Sequence, residues 1–207
     1  MPHQPILRHR HRLVAPTTLP KPMPETDLLR FFTVIDAVRD RLIFLLMRRC
    51  GLRVSEVRHV TWEDIDVHAK TIRIHNRKGQ VDRVVYLAPD VEQSLTLWRA
   101  RRSAQRYVFP GREKGATPLS RKQIVWLMKK YLRWAKLPRQ YSPHWLRQTF
   151  ATQLLNAGIS LAVLKELMGH RSIHSTLRYT TLDDATKRHQ DDQAMEKIET
   201  RQAGLGR

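Results

Sequence analysis

Apolar positions along the chain repeat with a helical period, switch to a period of two near residue 71, and then return to the helical period. Leu28, Leu29, Phe32 and Ile35 recur at three- and four-residue steps and predict a helix from Glu25. Leu42, Ile43, Leu45, Leu46 and Met47 predict a second helix that ends near Gly51, since glycine suits the position just past a helix end, where φ is often positive. Ser55 reads as the N-cap of a short third helix. In T-I-R-I-H-N (71–76) Ile72 and Ile74 share a face, and R-V-V-Y-L (83–87) is rich in β-forming residues. With Gly79 as the turn residue, the two predict a β-hairpin with a basic tip.

Helical spacing resumes after Pro89 with Val91, Leu95 and Trp98. It continues over residues 120–136 with Ile124, Leu127, Met128 and Leu132, and from Pro143 with Leu146, Phe150 and Leu154. A shorter helix over residues 161–168 stops at Gly169, and a last one is expected from about Asp183. The chain shows no internal repeat. The expected fold class is mainly α with a small antiparallel β-sheet, an α+β arrangement.

The two ends differ from this body. Residues 1–24 are rich in proline, contain His3, His9 and His11, and carry no periodic apolar pattern; they read as a flexible basic leader. Residues 25–182 form the expected folded body, and 183–207 a near-neutral tail.

Charge narrows the function. At 207 residues the chain suits one domain with a core, and its formal charge of +19 and pI near 11.0 call for a polyanionic partner. Nucleic acid fits better than an anionic membrane, because no dedicated basic amphipathic helix is present. The apolar run at residues 42–47 is cut by Arg48 and Arg49, far short of the roughly 18 residues a membrane span needs. The N-terminus has no apolar h-region and so is no secretory signal. One cysteine, Cys50, excludes a disulfide framework within the chain and points to a reducing compartment.

Several residues carry candidate chemistry. His144 and Arg147, in H-W-L-R, are three apart and share a helix face, where both can reach one phosphate. Two solvated surface side chains are the plainer reading. Arg53, in G-L-R-V-S-E-V, lies beside the Gly51 turn at the start of a helix, a seat for an anion. Glu56 either orients an arginine or caps the helix. Lys78 and its neighbour Arg77 sit at the hairpin tip, where a lysine either protonates a leaving oxygen in a DNA groove or discourages edge pairing. His170 follows Gly169, and Tyr179 lies nine residues further on. A tyrosine nucleophile needs its proton removed, since its free pKa is about 10. Arg121, Lys122 and Arg171 are further candidate DNA contacts.

Taken in order, G-L-R-V-S-E-V, the lysine-tipped hairpin, H-W-L-R, G-H-R-S and R-Y-T resemble the catalytic domain of the tyrosine recombinase (phage integrase) family over about residues 20–182. The family pattern falls on Arg53, Lys78, His144, Arg147, His170 and Tyr179, with Glu56 as the acidic residue of the first arginine box. The resemblance implies a transesterification without metal, ATP or other cofactor. Tyr179 attacks a DNA phosphodiester, forming a 3′-phosphotyrosyl link and releasing a 5′-hydroxyl. Arg53 and Arg147 stabilise the developing charge, His144 assists the nucleophile, Lys78 protonates the 5′-oxygen and His170 supports the phosphate. The implied partners are double-stranded DNA and further copies of the chain, four in a synapse passing through a Holliday junction and a monomer in solution, in the cytoplasm beside the nucleoid. The tail, with Ala185, Ala194, Met195 and Ile198, is expected to pack on a neighbouring protomer.

Family members commonly carry a separate core-binding domain ahead of this one. Two readings stand: a natural short form resembling the invertases of fimbrial phase variation, or a fragment of a longer integrase. Rival functions have weaker signals. Glu63, Asp64 and Asp66 in W-E-D-I-D lack metal-ligand spacing for a nuclease and read as a solvated turn. His9-Arg10-His11 has a charged centre, unlike the His-hydrophobe-His of metal-using relaxases. A non-catalytic DNA-binding regulator is the remaining alternative.

Overall fold

The computed structural model describes residues 22–75, 82–102, 105–111 and 117–170. Helix α1 (Glu25–Thr33) starts after Pro24 with Glu25 and Asp27 in its first turn, where acidic groups favour the helix dipole. Its buried stripe is Leu28 and Phe31, continued by Ile35, while Leu29 faces solvent. The face is thus rotated from the one expected, because Phe31 is the ring that packs edge-on against Phe44, at 5.2 Å. Met23, within the stretch read as leader, is buried, and its N–H donates to Thr149 Oγ1 at 2.9 Å.

Helix α2 (Val38–Arg49) is the centre of the fold. Its residues 42–47 are all buried, as a helix apolar on every side must be. Each such Leu, Ile or Phe contributes about 1.5–3 kcal/mol by leaving water. Cys50 is buried behind α2, where burial pushes its thiol up to about 12 and makes it a poor nucleophile.

After α2 come the short α3 (Val54–Val57) and a 3-10 turn at Trp62–Asp64. Ser55 lies inside α3; Arg53 occupies the N-cap position. Strands β1 (Ile65–Asp66), β2 (Thr71–Ile74) and β3 (Arg83–Tyr86) form an antiparallel sheet in that order. The register pairs Ile72 with Val85 and Ile74 with Arg83. Alternation buries Ile72, Ile74, Val85 and Arg83 on one face and leaves Val84 and Tyr86 outside. The hairpin tip lies outside the described residues.

Four helices complete the body: α4 (Pro89–Arg102), α5 (Arg121–Trp134), α6 (Pro143–Asn156) and α7 (Leu161–Met168). α4 and α6 pack on α2. Ser120 caps α5 by accepting from the Gln123 N–H, and Pro143 occupies the start of α6, where its missing N–H has no cost. α7 packs against α6 through a second small cluster of Phe150, Ala151, Leu155, Leu164 and Met168. It ends at Gly169, with φ of 60°, as its position just past the last apolar residue implied. The helix expected from Asp183 lies outside the described residues.

Candidate active site

The ends of α2 and α7 and the start of α3 meet beside the buried face of β3, and four charged side chains fill the junction. Glu56 is at the centre. Its two oxygens accept from Arg83 at 3.0 and 2.8 Å and from the Arg53 guanidinium at 2.7 Å. The Arg53 backbone N–H donates to Oε2 at 2.7 Å, and Arg147 Nη1 lies 3.6 Å from the same atom. Glu56 therefore both caps α3 and orients arginines. It also occupies the helix start that the sequence suggested as an anion seat.

The arginines are held from the other side by the last turn of α7. Arg83 Nε donates to the Leu167 carbonyl at 2.8 Å, Arg147 Nη2 to Met168 at 2.5 Å and Arg53 Nη2 to Gly169 at 3.2 Å. Three successive carbonyls at a helix C-terminus thus accept from three different arginines, satisfying groups that lack helical partners where the dipole favours cations. Arg147 Nη1 also donates to the Gly51 carbonyl. That carbonyl is aimed by the left-handed turn at Gly51, φ 65°, where an added Cβ would lie 2.5 Å from the Phe150 ring. His170 Nε2 is 3.3 Å from Arg147 Nη2.

Burial by itself raises the Glu56 pKa. The hydrogen bond and charge of Arg83, the charge of Arg147 and the Arg53 N–H together outweigh it and hold the carboxyl at about 2. One carboxylate and three guanidiniums leave a formal excess of two positive charges, which the partial charge of a helix end offsets only in small part. Arg53 has a side chain one-third exposed and meets solvent, whereas Arg147, only 2% exposed, acts from beneath. Such an excess of positive charge beside a partly exposed guanidinium is chemically suited to an anion such as a phosphate.

Of the residues marked in the sequence, Arg53, Glu56, Arg147 and His170 converge here. Arg147 is not a surface side chain. His144 is exposed on the first turn of α6, one turn before Arg147. Arg121 and Lys122 are exposed at the start of α5. Lys78, Arg77, Arg171 and Tyr179 lie outside the described residues. Arg83 was missed, although a signal existed: it is in phase with Val85 and Leu87 on the buried face of its strand.

A family model for the phage integrase family matches residues 22–186. The chain belongs to the phage integrase family. Among curated members of this family, the tyrosine recombinase XerA of Pyrococcus furiosus is 36% identical over 169 residues, covering 80% of this chain. This chain spans 58% of that relative's length. The fold is shared with the crystal structure of XerA recombinase, at TM-score 0.75 and 24% identity over 87% of this chain and 66% of that one. It is shared also with XerH site-specific recombinase bound to its difH substrate, at TM-score 0.69 and 24% identity over 79% and 51%. Two of the W-E-D-I-D acids make local hydrogen bonds in the turns that hold them. Asp64 accepts from the Thr61 N–H and hydroxyl, and Asp66 from the Ala69 N–H. Asp64 does have a histidine beside it, His75, which also meets Asp82. Among the described residues no group of three or more His, Cys, Asp or Glu suits a metal ion, and no helix is long and apolar enough to cross a membrane.

Proposed function

We propose that this chain cuts and rejoins DNA strands at specific sites through a 3′-phosphotyrosyl intermediate on Tyr179. The observation that carries the reading is the convergence of Arg53 and Arg147 on Glu56 and on the α7 carbonyls, with His170 alongside. It supports a pocket preorganised for a phosphodiester, whose non-bridging oxygens gain negative charge as the phosphorus becomes five-coordinate. Arg53 and Arg147 stabilise that charge. Tyr179 Oη forms the new bond to phosphorus, the bond to O5′ breaks, and Lys78 supplies the proton that O5′ takes up. His144 assists proton movement at the nucleophile and His170 supports the phosphate. A partner strand's 5′-hydroxyl then attacks the phosphotyrosyl link. One ester replaces another at each step, so the bond energy is retained without ATP. Double-stranded DNA is the substrate, and four copies act in the synapse through a Holliday junction.

The test is covalent trapping. Duplexes that the chain binds are selected from a random-sequence library and nicked, so that the released end diffuses away. An SDS-resistant adduct is expected with the wild type in EDTA and without ATP, and none with Tyr179→Phe. Demonstrated binding with no adduct would favour the regulator reading instead.

A further inference from the structure

Arg83 is a buried arginine for which the proposed chemistry has no role. Its planar fork grips both Glu56 oxygens, while its Nε reaches the Leu167 carbonyl. One side chain on β3 is thereby bonded to α3, which lies within the first arginine box, and to α7, which leads to His170. Arg83 also pairs with Ile74 at the last rung of the β2–β3 ladder before residues 75–82, the segment containing Lys78. The fit is close: a Cβ added at Gly169 would lie 2.6 Å from Arg83 Nη1. A group serving only to neutralise Glu56 would need neither the Leu167 bond nor this position, and Glu56 already has Arg53 and Arg147.

We infer that Arg83 is a positioning residue, which docks the base of the hairpin on the arginine junction and so sets where Lys78 meets the leaving oxygen. The inference rests on the reading above, in which Lys78 protonates O5′. It separates Arg83 from Arg53 and Arg147, which act on the phosphate itself. Lysine at this position keeps the charge but not the fork: one nitrogen replaces the three that reach the two Glu56 oxygens and Leu167 separately.

Single-turnover cleavage by the full chain tests this on the selected nicked duplex and on the same duplex with sulfur in place of the bridging 5′-oxygen. Sulfur leaves as a thiolate and needs no proton. Arg83→Lys is expected to cleave the ordinary duplex about ten- to a hundredfold more slowly, a partial loss of the roughly hundred- to ten-thousandfold that a general acid contributes. On the sulfur duplex it is expected to come within about threefold of wild type, as is Lys78→Ala. Thermal unfolding confirms that each variant is folded, and Arg83→Gln serves if Arg83→Lys is not. Equal slowing on both duplexes, or no slowing on either, overturns the positioning role. Rescue of Lys78→Ala without rescue of the Arg83 variant overturns it too. Failure of sulfur to rescue Lys78→Ala instead overturns the assignment of Lys78 as the acid.

Discussion

The guanidinium of Arg83 engages both carboxylate oxygens of Glu56, with Nη1 3.0 Å from Oε1 and Nη2 2.8 Å from Oε2, and both side chains are more than nine-tenths buried. Removing the carboxylate leaves three guanidiniums without their shared anion. Glu56→Ala is expected to lose about 3–5 kcal/mol of stability in urea unfolding at neutral pH, the usual cost of stranding buried charge. Acid gives a second reading of the same pair. The Glu56 carboxyl is held at about 2, below its ordinary 4.5, so its contribution is fully present above 4.5 and is lost as pH falls toward 2. Between those limits the wild type should lose about 3 kcal/mol more than Glu56→Gln. Parallel acid curves would contradict the arrangement.

Gly51 is expected to tolerate no side chain. Its φ of 65° disfavours any Cβ, and the Phe150 ring occupies the space. Gly51→Ala should destabilise the fold by about 2–4 kcal/mol, combining left-handed strain with overpacking. It should also slow DNA cleavage, because the Gly51 carbonyl anchors Arg147. Wild-type melting temperature and cleavage rate in this variant would refute both effects.

Arg121 and Lys122, exposed at the start of α5, are expected to contact DNA phosphates. Substituting both with alanine should weaken binding to all sequences alike. The slope of log affinity against log salt should fall by about one for each phosphate that is no longer neutralised. A change confined to one target sequence would assign them to base readout instead.

His75 bridges the 3-10 turn and the residue just before β3, with Nδ1 2.8 Å from Asp82 and Nε2 3.0 Å from Asp64. The Asp82 hydrogen bond leads in raising its pKa, slight desolvation opposes it, and the charges of Asp64 and Asp82 add to the rise. The bridge is therefore complete below the ordinary value of 6.5 and weakens as pH rises through the elevated one. In an NMR titration the His75 ring should show a midpoint above 6.5, and Asp82→Asn should bring it back down. An unshifted wild-type midpoint would contradict the bridge.

How much of this was legible in advance differs between the fold and the site. The hairpin registers by alternation, and Ile72 and Ile74 face inward as their spacing required. Gly51 and Gly169 close their helices with positive φ because that geometry is local. The set Arg53, Glu56, Arg147 and His170 was marked by order and residue type alone. Local patterns missed orientation where two faces were similarly apolar: Leu29 and Phe31 both suit a helix stripe, and packing against Phe44 selected Phe31.

By itself, the sequence determined the order and period of the elements and the identity of the charged residues, because backbone preferences and side-chain alternation act over a few positions. Only the tertiary structure decided that Arg147 is buried beneath the site instead of solvated beside His144, and that Arg83 joins it. Apart from the local Arg53–Glu56 pair, three residues apart, these arginines meet the carboxylate and three successive carbonyls at the end of α7 across separations of 21 to 116 residues. No local preference encodes the long-range part of that meeting; it follows from the packing of α6 on α2 and of α7 on α6 and β3.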